Sequence, residues 1–286
     1  MTVGRTAGVA RWSLLAGKLH RLSSRNAPGL EYLVYVPRSG VAVAPVFVTV
    51  HGISRNVHEH ATLFSTYCET FGVVLVAPYF APELSADYQR LGREGRGPRA
   101  DLALHGILEE AERLTGADTT RIRLFGFSGG AQFAHRYAMA HPHRVVGAVI
   151  AAAGWYTFPD PRTRYPYGIR RCRELPDLRF DPEEFLRVPI TVIVGDRDVT
   201  GEDLRRTRRV NRQQGETRLE RARNWVDAMQ TAAATYRVDP LVTLETIPGG
   251  DHSFMGLMGS GRLGDRTFAA LFGMPPARDG GRDDDG

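Results

Sequence analysis

Three residue types that can pass one proton between them stand beside glycines in this sequence. Ser128 lies in Gly126-Phe127-Ser128-Gly129-Gly130, a G-x-S-x-G pattern. Two aspartates lie in Gly195-Asp196-Arg197-Asp198, and an imidazole lies in Gly249-Gly250-Asp251-His252. A serine hydroxyl is a poor nucleophile until a base takes its proton, and that base needs a third group to orient it. The plain alternative is an idle serine in a glycine-rich loop, because short motifs recur by accident. The glycines argue for a sharp turn. A serine there has strained dihedrals, and side chains two residues to either side would collide.

Such residues act together only if the chain brings them to one place. Arg121 to Phe127 changes from alternating to wholly apolar, as a strand entering a sheet centre does. Ala131 to Ala140 is helix-compatible, so Ser128 sits between a strand and a helix. Pro45 to Val50 is a short apolar run ending directly in His51-Gly52-Ile53-Ser54. Leu30 to Pro37, Val73 to Ala77, Val145 to Ala153, Pro189 to Val194 and Leu241 to Ile247 read as further strands, with a candidate edge strand in Trp12 to Leu22. A helix over Val57 to Phe71 carries Leu63, Phe64, Tyr67 and Phe71 on one face and ends at Gly72. Asp101 is expected to cap a second, and Leu219 to Tyr236 forms another with Ala222, Val226, Met229 and Ala233 in its stripe. Alternating strands and helices predict the α/β class, with a mainly parallel sheet covered on both faces. Ser128, the aspartates and His252 then each follow the carboxyl end of a strand, where ligands bind in such sheets.

The order serine, aspartate, histidine is that of the α/β-hydrolases and differs from the orders in chymotrypsin and subtilisin. From about Leu30 to Gly273 the chain resembles an α/β-hydrolase with a serine esterase triad. The segments H-G-I-S-R-N, G-F-S-G-G-A-Q-F-A-H-R and G-G-D-H-S-F resemble the polyhydroxyalkanoate depolymerase and feruloyl esterase-like branch. The resemblance implies Ser128 as nucleophile, His252 as general base and then acid, and the amides of Ile53 and Gly129 as an oxyanion hole. It favours Asp198 over Asp196 as the orienting acid and leaves Asp196 open. His51, beside the oxyanion loop, is expected to brace the backbone. The activity implied is hydrolysis of small esters or soluble hydroxyacid oligomers. Lactones, thioesters and peptides need the same triad, and a non-catalytic relative that binds an acidic partner is the alternative from another class.

Of the 286 residues, 42% are hydrophobic, enough for a large core. No linker divides the body, so residues 1–274 are expected to form one α/β domain, with a lid-like insertion over 154–188 and a disordered tail over 275–286. Trp155 and Tyr156, in that insertion, are candidate substrate-binding residues; its aromatics packing on the body is the other reading. The net charge of +5 rests almost wholly on arginine, Lys18 being the one lysine, and a coding bias explains that as readily as anion binding. Cys68 and Cys172 make no disulfide framework, and the apolar run at Trp12 to Gly17 is too short for a signal core or membrane span. A cytoplasmic protein with no membrane partner is expected. His58, His60, His105, His135, His141 and His143 read as surface or capping residues, so no metal and no cofactor is implied. Arg205, Arg206, Arg208, Arg209, Arg212, Arg218, Arg221 and Arg223 read as a solvated face, with an anionic-ester funnel as the functional alternative. Lacking interleaved aromatics, they predict no nucleic-acid partner. Oligomeric state is not legible from these features.

Overall fold

The computed structural model describes residues 14–40, 43–93, 97–199 and 204–273. Eight strands form one sheet: β1 (Leu19–Ser23), β2 (Glu31–Tyr35), β3 (Pro45–Val50), β4 (Val74–Tyr79), β5 (Asp118–Phe127), β6 (Val145–Ala151), β7 (Ile190–Gly195) and β8 (Val242–Ile247). Their spatial order is β1-β2-β4-β3-β5-β6-β7-β8. β2 pairs antiparallel with β1 and β4, and every pairing from β4 through β8 is parallel. β3, β4, β6 and the second half of β5, Leu124 to Phe127, are almost wholly apolar because helices cover both faces.

Alternation in β3 divides the core. Val46, Val48 and Val50 join the layer beneath α2 (Ala100–Thr115), α3 (Gly129–Ala140) and α6 (Arg218–Tyr236). Phe47 enters the opposite layer, beneath α1 (Val57–Phe71), α7 (Phe254–Gly259) and α8 (Leu263–Phe272). The short helices α4 (Pro182–Phe185) and α5 (Arg208–Gln214) lie in the connections around β7. Among the described residues no helix is long and apolar enough to cross a membrane. The expected tail over 275–286 lies outside the described residues, as do Trp12 and Ser13 of the candidate edge strand, whose later part, Leu19 to Leu22, falls in β1 at the sheet edge.

One local expectation changes. Asp101 does not cap α2: Arg99 holds that position, and Asp101 is buried in the first turn, paired with Arg99 at 2.6 Å and His141 at 2.8 Å. Burial works against its charge, but the His141 and Arg99 hydrogen bonds prevail and hold the carboxyl at about 2. Residues 154–188 bury Trp155, Tyr156, Phe158 and Tyr165 against the body. Tyr156 stacks on Trp225 of α6 at 4.9 Å, and the Trp225 indole donates to the Thr157 carbonyl at 2.8 Å. Aromatic area of this kind outweighs the entropy of leaving the segment free.

Candidate active site

Ser128 leaves β5 with φ 52° and ψ −110°. That left-handed backbone costs a serine roughly 1–3 kcal/mol, so neighbours must hold it. Its amide donates to the Ala151 carbonyl at 2.9 Å, and its carbonyl accepts from the Gln132 amide at 3.2 Å. The flanking glycines are required by backbone contact. A Cβ on Gly126 would lie 2.2 Å from the Gly130 carbonyl oxygen, and one on Gly130 would lie 2.0 Å from that of Val50. The turn is thus pressed against the end of β3, which carries the His51 loop.

His252 Nε2 lies 3.0 Å from Ser128 Oγ, and its Nδ1 lies 2.8 Å from Asp198 Oδ2. Phe127 backs the imidazole at 5.1 Å between ring centres. The two aspartates separate cleanly. Asp198 is fully buried and faces the imidazole, whereas Asp196 is exposed and accepts from the Gly249 amide at 2.8 Å, fastening the two loops together. Asp198 has a second partner in Arg218, whose Nη1 donates to Oδ1 at 3.0 Å from a side chain only 4% exposed. A capping box of Thr217 and Glu220 fixes the start of α6 and so places Arg218. A buried carboxylate needs such a countercharge, because unpaired it costs several kcal/mol.

Arg218 corrects the reading of the arginine run as a solvated face, and so does Arg221. Arg221 is fully buried and donates to the carbonyls of Gly154, Gly215 and Arg205 and to Asn211 Oδ1. The signal was present at helical spacing. Arg218 and Arg221 share the i, i+3, i+4, i+7 face of Ala222 and Trp225, which are buried.

The amide-bearing loops approach one another beside the serine. An added Cβ at Gly129 would lie 3.2 Å from the Ile53 amide nitrogen and 2.7 Å from the Tyr88 hydroxyl oxygen. Tyr88, which no sequence pattern singles out, donates to the His51 carbonyl at 2.9 Å. His51 is buried within this loop. Its Nδ1–H donates to the Gly52 carbonyl at 2.8 Å, and its Nε2 accepts from the Phe80 amide at 3.0 Å. Both nitrogens therefore hold backbone. A cleft of about 400 Å³ opens over these groups, lined by Gly52, Ile53, Phe127, Ser128, His252 and Met255 among others. Trp155 and Tyr156 stand apart from this lining: Tyr156 is wholly buried against Trp225, and Trp155 is 4% exposed.

His60 and His135 also depart from the surface reading, since both are fully buried. His60 stacks on Phe254 at 3.8 Å and shares a hydrogen bond with Thr49 Oγ1 at 3.0 Å. His135 accepts from the Thr157 amide at 3.0 Å and donates to the Ala131 carbonyl at 2.9 Å. Burial pushes His60 and His135 well below 6.5, and His51 down to about 4. A histidine held neutral stabilises the fold above its unfolded value, and that stability is lost as the pH falls towards the folded value. Urea midpoints are therefore expected to be flat above pH 7 and to fall steadily from pH 6.5 to 4. His51 alone accounts for about 3 kcal/mol of that loss. Equal midpoints at pH 7.5 and pH 5 would contradict this. Among the described residues no group of three or more histidine, cysteine, aspartate or glutamate side chains could hold a metal ion.

No family model matches the chain, and no curated protein matches it in sequence. Solved structures do match in shape. Poly(aspartic acid) hydrolase-1 from Sphingomonas sp. KT-1 superposes with a TM-score of 0.74 at 23% identity, covering 88% of this chain and 98% of that one. The poly(3-hydroxybutyrate) depolymerase LpqC from Bordetella parapertussis gives 0.74 at 24%, covering 92% of each chain. An S-formylglutathione hydrolase from Agrobacterium tumefaciens gives 0.62 at 16%, covering 88% and 93%. With β2 antiparallel between its neighbours, parallel strands beyond, and a serine turn after β5, the chain has the α/β-hydrolase fold.

Proposed function

We propose that this protein is a serine hydrolase of carboxylic esters, acting on small esters or soluble hydroxyacid oligomers. The observation that carries the reading is the unbroken line from Ser128 Oγ through both nitrogens of His252 to Asp198, at 3.0 and 2.8 Å. In this reading His252 Nε2 takes the Ser128 proton as Oγ attacks the ester carbonyl. Asp198, steadied by Arg218, holds the Nδ1–H tautomer and balances the imidazolium. The amides of Ile53 and Gly129 receive the oxyanion, each donor contributing about 3 kcal/mol at the transition state. The imidazolium then protonates the leaving alcohol, and the same nitrogen activates the water that releases the acid.

The neighbours in shape include a poly(3-hydroxybutyrate) depolymerase, a poly(aspartic acid) hydrolase and an S-formylglutathione hydrolase, and these support acyl transfer in general terms. The exposed Ile53 and Met255 beside the cleft favour a partly apolar substrate. Rapid mixing with 4-nitrophenyl acetate tests the covalent route. A burst of 4-nitrophenol close to one equivalent per chain, ahead of slower turnover, is expected. Turnover with no burst at any acyl length from acetate to octanoate would count against an accumulating acyl-enzyme. An absence of turnover with every ester would remove the esterase reading.

A further inference from the structure

Three guanidinium groups converge on the ring of Trp155. Arg136 lies 4.2 Å from its centre, and Arg90 and Arg205 each lie 5.6 Å away. They come from α3, the turn Tyr88–Arg90 and the segment before α5. Among the described residues none of the three has a carboxylate within salt-bridge distance. Asp87, near Arg90, is engaged by Arg93 at 2.9 Å. Arg136 is wholly buried, which is rare for an arginine without a carboxylate. Its Nε and Nη1 donate to Thr157 and to the carbonyls of Gln89 and Gln132, and its buried Nη2 has no partner. Burial, with Arg90 and Arg205 adding repulsion, pushes it down to about 9. Like charges gathered in this way destabilise the fold unless an anion offsets them.

The cluster adjoins the site on every chain that builds it. Gln132, whose carbonyl Arg136 holds, bonds the Ser128 carbonyl through its amide. Tyr88, two residues before Arg90, touches the Gly129 position. Gly154, next to Trp155, lies against the Gln132 amide, and Leu204, next to Arg205, lies against Gly154. Arg205 is exposed and Arg90 half-buried, so the cluster is open to solvent. Arginine's fork grips a carboxylate through two parallel hydrogen bonds, and the buried Trp155 ring, against which all three guanidinium groups lie, holds them together.

We infer that Arg90, Arg136 and Arg205 around Trp155 form an anion subsite that selects esters carrying a free carboxylate in their acid or alcohol part. This rests on the hydrolase reading and names its substrate class. The site would bind a dicarboxylic half-ester, or the carboxylate end of a hydroxyacid oligomer, with the ester carbonyl at Ser128.

Two pairs of substrates test it at low salt: 4-nitrophenyl hydrogen glutarate against its methyl ester, and 4-acetoxybutanoate against its methyl ester. In at least one pair the wild type is expected to favour the anion in kcat/KM by about tenfold or more. The double variant Arg90→Gln/Arg205→Gln should bring that ratio to about one. Arg212→Gln/Arg223→Gln removes the same charge from exposed positions in the arginine run and should keep the ratio. No preference in either pair, or the same ratio in both double variants, would overturn the subsite. Binding of glutarate to Ser128→Ala protein by calorimetry needs no turnover. It should weaken about tenfold or more on adding Arg90→Gln and Arg205→Gln, and no binding or equal binding would also overturn it. Glutarate binding without hydrolysis of any ester would leave the subsite standing and remove the hydrolase reading instead.

Discussion

Replacing Ser128 by alanine is expected to lower kcat for 4-nitrophenyl esters by about a millionfold, with KM little changed. The change removes the proposed attacking atom and leaves His252, Asp198 and the loop amides in place. Residual hydrolysis of about a thousandfold over water should persist, because oriented amides still stabilise an oxyanion formed by a water molecule. The cleft is lined mainly by groups other than the serine hydroxyl, so ground-state binding has no reason to fall. Unfolding in urea should be close to wild type, since Ser128 Oγ has His252 as its hydrogen-bond partner and the backbone strain at φ 52° is common to both side chains. A variant retaining a tenth of the wild-type rate would locate the chemistry elsewhere.

The aspartates give the second large effect and the sharper contrast. Asp198→Asn is expected to lower kcat by about ten-thousandfold, because an amide at Oδ2 favours the tautomer in which Nε2 already carries a proton. Asp196→Asn should change kcat by about twofold, as an exposed substitution does. The sequence places both residues in one turn, two positions apart, yet their environments differ completely. One is fully buried between His252 and Arg218, and the other faces solvent and holds a glycine amide. Arg218 extends the test to stability. Arg218→Met strands the buried Asp198 charge and should destabilise the fold by about 3–5 kcal/mol. In the Asp198→Asn background the same change should cost much less, because the stranded charge is gone. Additive costs in that cycle would mean that Arg218 does not act through Asp198.

What was legible in the sequence followed local pattern. Pro45–Val50 and Val57–Phe71 fall where the apolar run and the helical stripe put them, because those signals are set by residues a few positions apart. The turn at Ser128 was legible because its glycines answer a steric demand that the chain states locally. Arg218 was hidden because its partner lies twenty residues away, across a helix start, and a run of arginines looks the same solvated or buried. Trp155 and Tyr156 have the aromatic character of a binding wall, but the same area packs a core. Trp225, from a distant helix, decided that at Tyr156. His60 could have been read as buried: it lies on the stripe Val57, Ala61, Phe64 and Cys68. Tyr88 offered no pattern, since its partner is the carbonyl of His51 on another loop.

The most direct test of Ser128 as an activated nucleophile is covalent capture by a fluorophosphonate, followed by mass mapping of the labelled peptide. One adduct per wild-type chain is expected, on Ser128, with no adduct on Ser128→Ala protein and strongly slowed labelling of Asp198→Asn. An unlabelled wild type, or equal labelling of wild type and Ser128→Ala, would contradict it.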